Sequence, residues 1–137
     1  MQDELKLINL DQIKPSKVDF LWYPYIPAGK ITIVQGDPGD GKTTMILSVA
    51  AAVTRGLLLP ESKTAIEPEN VIYQTAEDGL HDTIKPRLLQ SGADCKLIDI
   101  IDETNRELTL SDERIEQAII SKKAKLFIVD PLHLLGY

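Results

Sequence analysis

"VQGDPGDGKTTM", Val34 to Met45, sets three glycines and a proline ahead of a lysine and paired threonines. The spacing Gly36-x-x-x-x-Gly41-Lys42-Thr43 is that of a phosphate-binding loop, whose glycines let successive backbone N–H groups turn inward around an anion. Such a loop works only between a strand and a helix, because the helix must point its positive end at the same anion. Both flanks are present. Ile31-Thr32-Ile33-Val34 is a β-branched run that predicts a strand. From Lys42 to Arg55 the chain is apolar on nearly every side and stops at Gly56, which predicts a largely buried helix.

Outward from the loop, three more short apolar runs predict strands: Val71-Ile72-Tyr73-Gln74-Thr75, Leu97-Ile98-Asp99-Ile100-Ile101 and Leu126-Phe127-Ile128-Val129. Helix-like segments lie between them, the rhythm of an α/β fold with a mainly parallel sheet and flanking helices. Leu80, Ile84 and Leu88 recur at four-residue spacing before Gly92, with Pro86 either kinking that helix or sitting in its first turn. A third helix reads from Ser111 as N-cap, with Ile115, Ala118 and Ile119 on its apolar face and Lys122 and Lys123 at its negative end. Residues 1–28, with Pro15, Pro24 and Pro27, read as an irregular segment packed on the domain that begins at residue 29. Phe20, Trp22, Tyr23 and Tyr25 either cover a sheet edge there or stack on a base.

The bulk numbers fit one domain: 137 residues, 43 % hydrophobic. Fifteen Lys+Arg against 21 Asp+Glu give a net charge of −6, so this chain lacks the broad cationic surface that grips a nucleic-acid backbone. Nothing near the start resembles a signal peptide, and no apolar run reaches membrane-spanning length. One cysteine, Cys95, cannot form an internal disulfide, which suits a cytoplasmic location, and it is expected to pack.

Within the loop, Gly36, Asp37, Pro38, Gly39, Asp40, Gly41, Lys42, Thr43 and Thr44 are the candidates to cradle a nucleoside triphosphate. Lys42 would reach the β- and γ-phosphates and the Thr43 hydroxyl would take a Mg²⁺ position. The side chains of Asp37 and Asp40 are expected to point away from an anion held by the main chain. Asp130, closing the run Leu126–Val129, is the candidate metal-side carboxylate, or else an Asp that starts a turn before Pro131. Pro131 stands where many ATPases carry a glutamate, so the water-activating acid is sought at the end of another strand. In "YQTAEDGLHD", Tyr73 to Asp82, Glu77 is the first candidate, Asp78 the second, and the alternative is that both are solvated turn acids. His81 and His133 read as surface or hydrogen-bonded residues.

Three stretches, "WYPYIPAGKITIVQGDPGDGKTT", "YQTAEDGLHDTIKPRL" and "KLFIVDPLHLL", together resemble the RecA-like P-loop ATPases, and among them the RepA-type hexameric helicase ATPases of plasmids, phages and other mobile elements. The resemblance implies ATP and Mg²⁺ as cofactors, Glu77 as the catalytic acid beside Lys42, and Asp130 as the Walker B acid. It further implies single-stranded DNA as partner, a hexameric ring, and no membrane association. Arg87 matches an arginine common in the family. Relatives continue past the Walker B strand with further strands, one of them set between that strand and the P-loop strand. The chain is therefore expected to be the N-terminal part of such a domain, with a gap in its sheet. A recombination or repair ATPase of the same fold, a small-molecule kinase, and a nucleotide-gated binding module without turnover are the rival readings.

Overall fold

The structure is a computed structural model that describes residues 3–37, 39–75 and 79–130. After a 3-10 turn at Leu10–Gln12, two short strands, β1 (Phe20–Trp22) and β2 (Ile26–Pro27), form an antiparallel hairpin. The N-terminal segment is thus more ordered than its prolines suggest. Trp22 packs against the main core and its indole N–H donates to the Pro60 carbonyl at 2.8 Å. The Tyr25 hydroxyl donates to Glu61 at 2.6 Å. These bonds tie the hairpin to the connection that follows the first long helix.

That helix, α1 (Lys42–Arg55), has the predicted bounds. Leu47, Val49, Ala50, Ala51, Ala52, Val53 and Thr54 are buried along it. It ends because Gly56 adopts φ +66, which lets the Leu57 N–H bond back to Ala52 and the Gly56 N–H to Val53.

A three-stranded parallel sheet lies against it, in the order β4 (Ile98–Asp99), β3 (Val71–Gln74), β5 (Leu126–Val129). The central strand is buried on both faces, as a parallel strand covered by helices must be. Val71, Tyr73 and Ile128 face the cluster that contains α1 and α2 (Lys85–Gln90). Ile72 and Gln74 point to the opposite face and are equally buried. A π-helical turn, Leu80–Ile84, leads into α2, and Pro86 sits in the first turn of α2, where its missing N–H costs nothing. The last helix, α3 (Glu113–Lys122), starts one residue later than the expected Ser111 cap: Asp112 is the N-cap and accepts from the Arg114 N–H. Arg114 also grips both Asp112 oxygens with its side chain, which draws the cap onto the acid rather than the serine. Ile115, Ala118 and Ile119 are half-buried on its inner side.

Two of the expected strands change. The Leu97–Ile101 run keeps only the two residues of β4, because Cys95–Leu97 form a 3-10 turn ahead of it. Cys95 packs against the core, as its sequence setting suggests. The run Ile31–Val34 is not a strand at all: Ile31 is 91 % and Ile33 66 % exposed, and the segment joins no ladder among the described residues. The physical reason is that a strand exists only through a neighbour's hydrogen bonds. The resemblance implies a strand between this segment and β5, and none of the described residues supplies one.

Candidate functional site

The phosphate-loop candidate opens at the N-terminus of α1. Gly41 is its N-cap, at φ +84, with no side-chain cap and no acid in the first turn. The first backbone bond of the helix runs from the Met45 N–H to the Gly41 carbonyl. The N–H groups of Lys42, Thr43 and Thr44 therefore have no acceptor within the helix, and the positive end of its dipole adds to theirs. An open pocket of about 600 Å³ lies there, lined by Val34, Gln35, Gly36, Asp37 and Lys42. The ammonium of Lys42 donates to the Gly36 carbonyl, so it is held over the loop rather than extended into solvent.

The Asp40 carboxylate folds back and accepts from the Asp37 N–H at 2.7 Å, while its own N–H donates to the Asp37 carbonyl at 3.1 Å. This reciprocal pair braces the loop into a tight turn. A Cβ at Gly36 would lie 3.1 Å from the Asp40 carboxylate and 3.4 Å from the Lys42 stem, so these side chains would have to shift slightly to admit one. Pro38, the remaining loop candidate, lies outside the described residues.

Asp130 follows β5 at the carboxyl edge of the sheet, and its N–H bonds to the Gln74 carbonyl of β3 at 3.0 Å. Its Oδ2 accepts from the Thr43 hydroxyl at 3.0 Å, across 87 residues of chain. The same oxygen accepts from the Tyr73 hydroxyl at 3.2 Å. The two candidates for a metal position, Thr43 and Asp130, thus meet directly, beside the uncapped end of α1. Glu77 and Asp78 lie outside the described residues, as does His133; the strand that leads to them ends at Gln74, with Thr75 buried beyond it. His81 is exposed in the π-helical turn, and Arg87 is half-buried on α2.

A family model for the AAA domain matches residues 2–135. The chain belongs to that family. It is an ATPase of the AAA/RecA-like type, a family that binds nucleotide, and its α/β core with a parallel sheet flanked by helices is consistent with that type. No curated protein and no solved structure matches it.

Within this AAA domain, two polar residues of β3 escaped the sequence reading. Tyr73, 4 % exposed, lies on the face toward α1, and Gln74, 1 % exposed, lies on the other. Gln74 uses its amide as a strand would use its backbone: it accepts from the Ile101 N–H at 3.0 Å and donates to the Ile101 carbonyl at 3.1 Å. It also donates to Glu103 at 3.2 Å, whose other oxygen accepts from the Leu108 N–H at 2.6 Å. The signal was present in the sequence. A tyrosine and a glutamine inside a buried strand each need a polar partner. The identity of those partners was not legible.

Among the described residues no three His, Cys, Asp or Glu side chains gather as a metal cage. A hydroxyl and one carboxylate do suit Mg²⁺, which takes few protein oxygens and shares the rest with water and phosphate. Among those residues no helix is long and apolar enough to cross a membrane.

Proposed function

We propose that this AAA domain hydrolyses Mg-ATP to drive unwinding of, or movement along, DNA, as part of a ring-forming helicase of a mobile element. The observation that carries the catalytic part is the contact of Thr43 with Asp130 beside the uncapped N-terminus of α1. It joins a hydroxyl, a carboxylate, unpaired helix N–H groups and the Lys42 ammonium within one site. In this reading the loop from Gly36 to Thr44 wraps the phosphates and holds them through the main-chain N–H groups its own turn does not use, those of Lys42, Thr43 and Thr44 among them, and Lys42 leaves the Gly36 carbonyl to neutralise the β- and γ-phosphate charge. Thr43 and Asp130 would hold Mg²⁺, which supplies charge neutralisation on the transferring phosphoryl group. Glu77 orients the attacking water and takes up its proton. The DNA, ring and mobile-element parts of the proposal rest on the resemblance of the three quoted stretches to the RepA-type helicases.

The test measures ATP hydrolysis with and without single-stranded DNA. The expected result is Mg²⁺-dependent turnover that DNA stimulates. Nucleotide binding with neither turnover nor stimulation would sink the motor reading. Glu77→Gln should keep nucleotide binding and lose turnover by about a hundredfold or more, the scale of general-base catalysis. Lys42→Ala should weaken binding itself, and an unchanged affinity would remove the loop from its role.

A further inference from the structure

Tyr73 pairs with Ile128 in the parallel register of β3 and β5. Side chains two residues apart on a strand share a face, so Asp130 follows Ile128 onto the face that Tyr73 occupies, the face covered by α1. From there the Tyr73 phenol reaches diagonally to the carboxylate and donates to Oδ2 at 3.2 Å. Thr43 approaches the same oxygen from α1 at 3.0 Å. Packing alone does not account for the hydroxyl. The ring is surrounded by the apolar cluster of α1, α2 and β5, where phenylalanine would serve as well and would bury no polar atom.

We propose that Tyr73 is a positioning residue for the Asp130 carboxylate, an inference that rests on the Mg-ATP reading of this site. Two donors converging on Oδ2 fix the rotation of the carboxyl group, which would present the carboxylate to Mg²⁺ in one orientation. A single donor, Thr43, would leave that rotation loose, and in the Mg-ATP reading the Thr43 hydroxyl oxygen would also serve the metal. Tyr73 would thereby act on the metal through Asp130. It links the central strand of the sheet, whose next residues lead to Glu77, to the carboxylate on the neighbouring strand.

The test is Mg²⁺ titration of ATP binding, followed with a fluorescent ATP analogue and involving no turnover, in wild type, Tyr73→Phe, Asp130→Ala and the double variant. Tyr73→Phe is expected to need about tenfold more Mg²⁺ for half-maximal enhancement, the usual scale for losing a partner that orients a metal ligand. Its binding in EDTA should equal that of wild type. The double variant should match Asp130→Ala alone, because without the carboxylate the phenol has nothing to orient. An unchanged Mg²⁺ requirement in Tyr73→Phe overturns the proposal, and so does an equal loss of affinity with and without Mg²⁺, which would mark a packing role. If wild type itself binds ATP without any response to Mg²⁺, the metal reading of the site fails first and the proposal falls with it.

Discussion

Replacing Gln74 by leucine or glutamate tests how the central strand is held to the chain that follows β4. Leucine removes the amide but keeps the volume. It strips the Ile101 N–H and carbonyl of their partner, while Glu103 keeps its bond from the Leu108 N–H. Two backbone groups left without a partner would cost about 1–3 kcal/mol each if fully buried. Ile101 is only half-buried, so water recovers part of this, and a total of about 2–3 kcal/mol is expected. Glutamate behaves differently. One of its oxygens can still accept from the Ile101 N–H, but the other then faces the Ile101 carbonyl and the Glu103 carboxylate, where Gln74 Nε2 now stands 3.1 and 3.2 Å away. Two like charges at that separation repel by about 5 kcal/mol at an effective dielectric constant of about 20, an upper bound that protonation relieves. The introduced carboxyl therefore has its folded-state pKa raised, and the destabilisation grows as pH rises above the unfolded value of about 4.3. Urea denaturation at pH 5 and pH 8 separates the two variants. Gln74→Leu should show a gap to wild type that is nearly independent of pH. Gln74→Glu should be the worse variant at pH 8 and should recover by about 1.4 kcal/mol per pH unit on acidification through the titration. A leucine variant within 0.5 kcal/mol of wild type, roughly the scatter of neutral surface changes, would refute the bridging role. A glutamate variant indifferent to pH would refute the electrostatic part.

Gly56→Ala should destabilise by about 2–4 kcal/mol in the same assay, because φ +66 already costs a side chain about 1–2 kcal/mol and the new Cβ would lie 2.7 Å from the Ile66 carbonyl oxygen. The guanidinium and backbone N–H of Arg114 hold the Asp112 carboxyl at a pKa of about 2, below its usual 3.8. A depressed acid stabilises the fold above its unfolded pKa and loses that contribution as pH falls through the folded value. Thermal melts of Asp112→Asn, which keeps a capping oxygen, should therefore show a constant deficit above about pH 4 that closes toward pH 2. A deficit that persists unchanged at pH 2 would contradict the ion-pair origin. Asp40→Asn and Asp40→Ala both remove the loop's charge, but only alanine removes the acceptor for the Asp37 N–H. Nucleotide affinity should be about fivefold lower in the alanine variant than in the asparagine one, the equivalent of about 1 kcal/mol. Equal affinities would show that the brace does not shape the loop.

Much of this molecule was readable from short windows of sequence. The bounds of α1 followed from an apolar run closed by Gly56, and the loop ahead of it from the spacing of Gly36, Gly41, Lys42 and Thr43. Pro86 left two readings open, a kink or a first turn, and it takes the first turn of α2. Each of these depends on residues within one or two turns of each other, where backbone sterics and local hydrogen bonds decide the outcome. Asp130 was legible as an acid after an apolar strand, though its contact with Thr43 was only an inference from chemistry. Two local signals failed for different reasons. The β-branched run at 31–34 stayed out of the sheet because β-propensity expresses itself only against a neighbouring strand. Asp112 took the cap of α3 from Ser111 because Arg114 grips it. The joining of Tyr73 and Thr43 on one oxygen of Asp130, and of Gln74 with Ile101, was decided by the tertiary structure alone. These partners lie between 27 and 87 residues apart, and only the parallel register of the sheet and the seating of α1 upon it bring them within hydrogen-bonding distance.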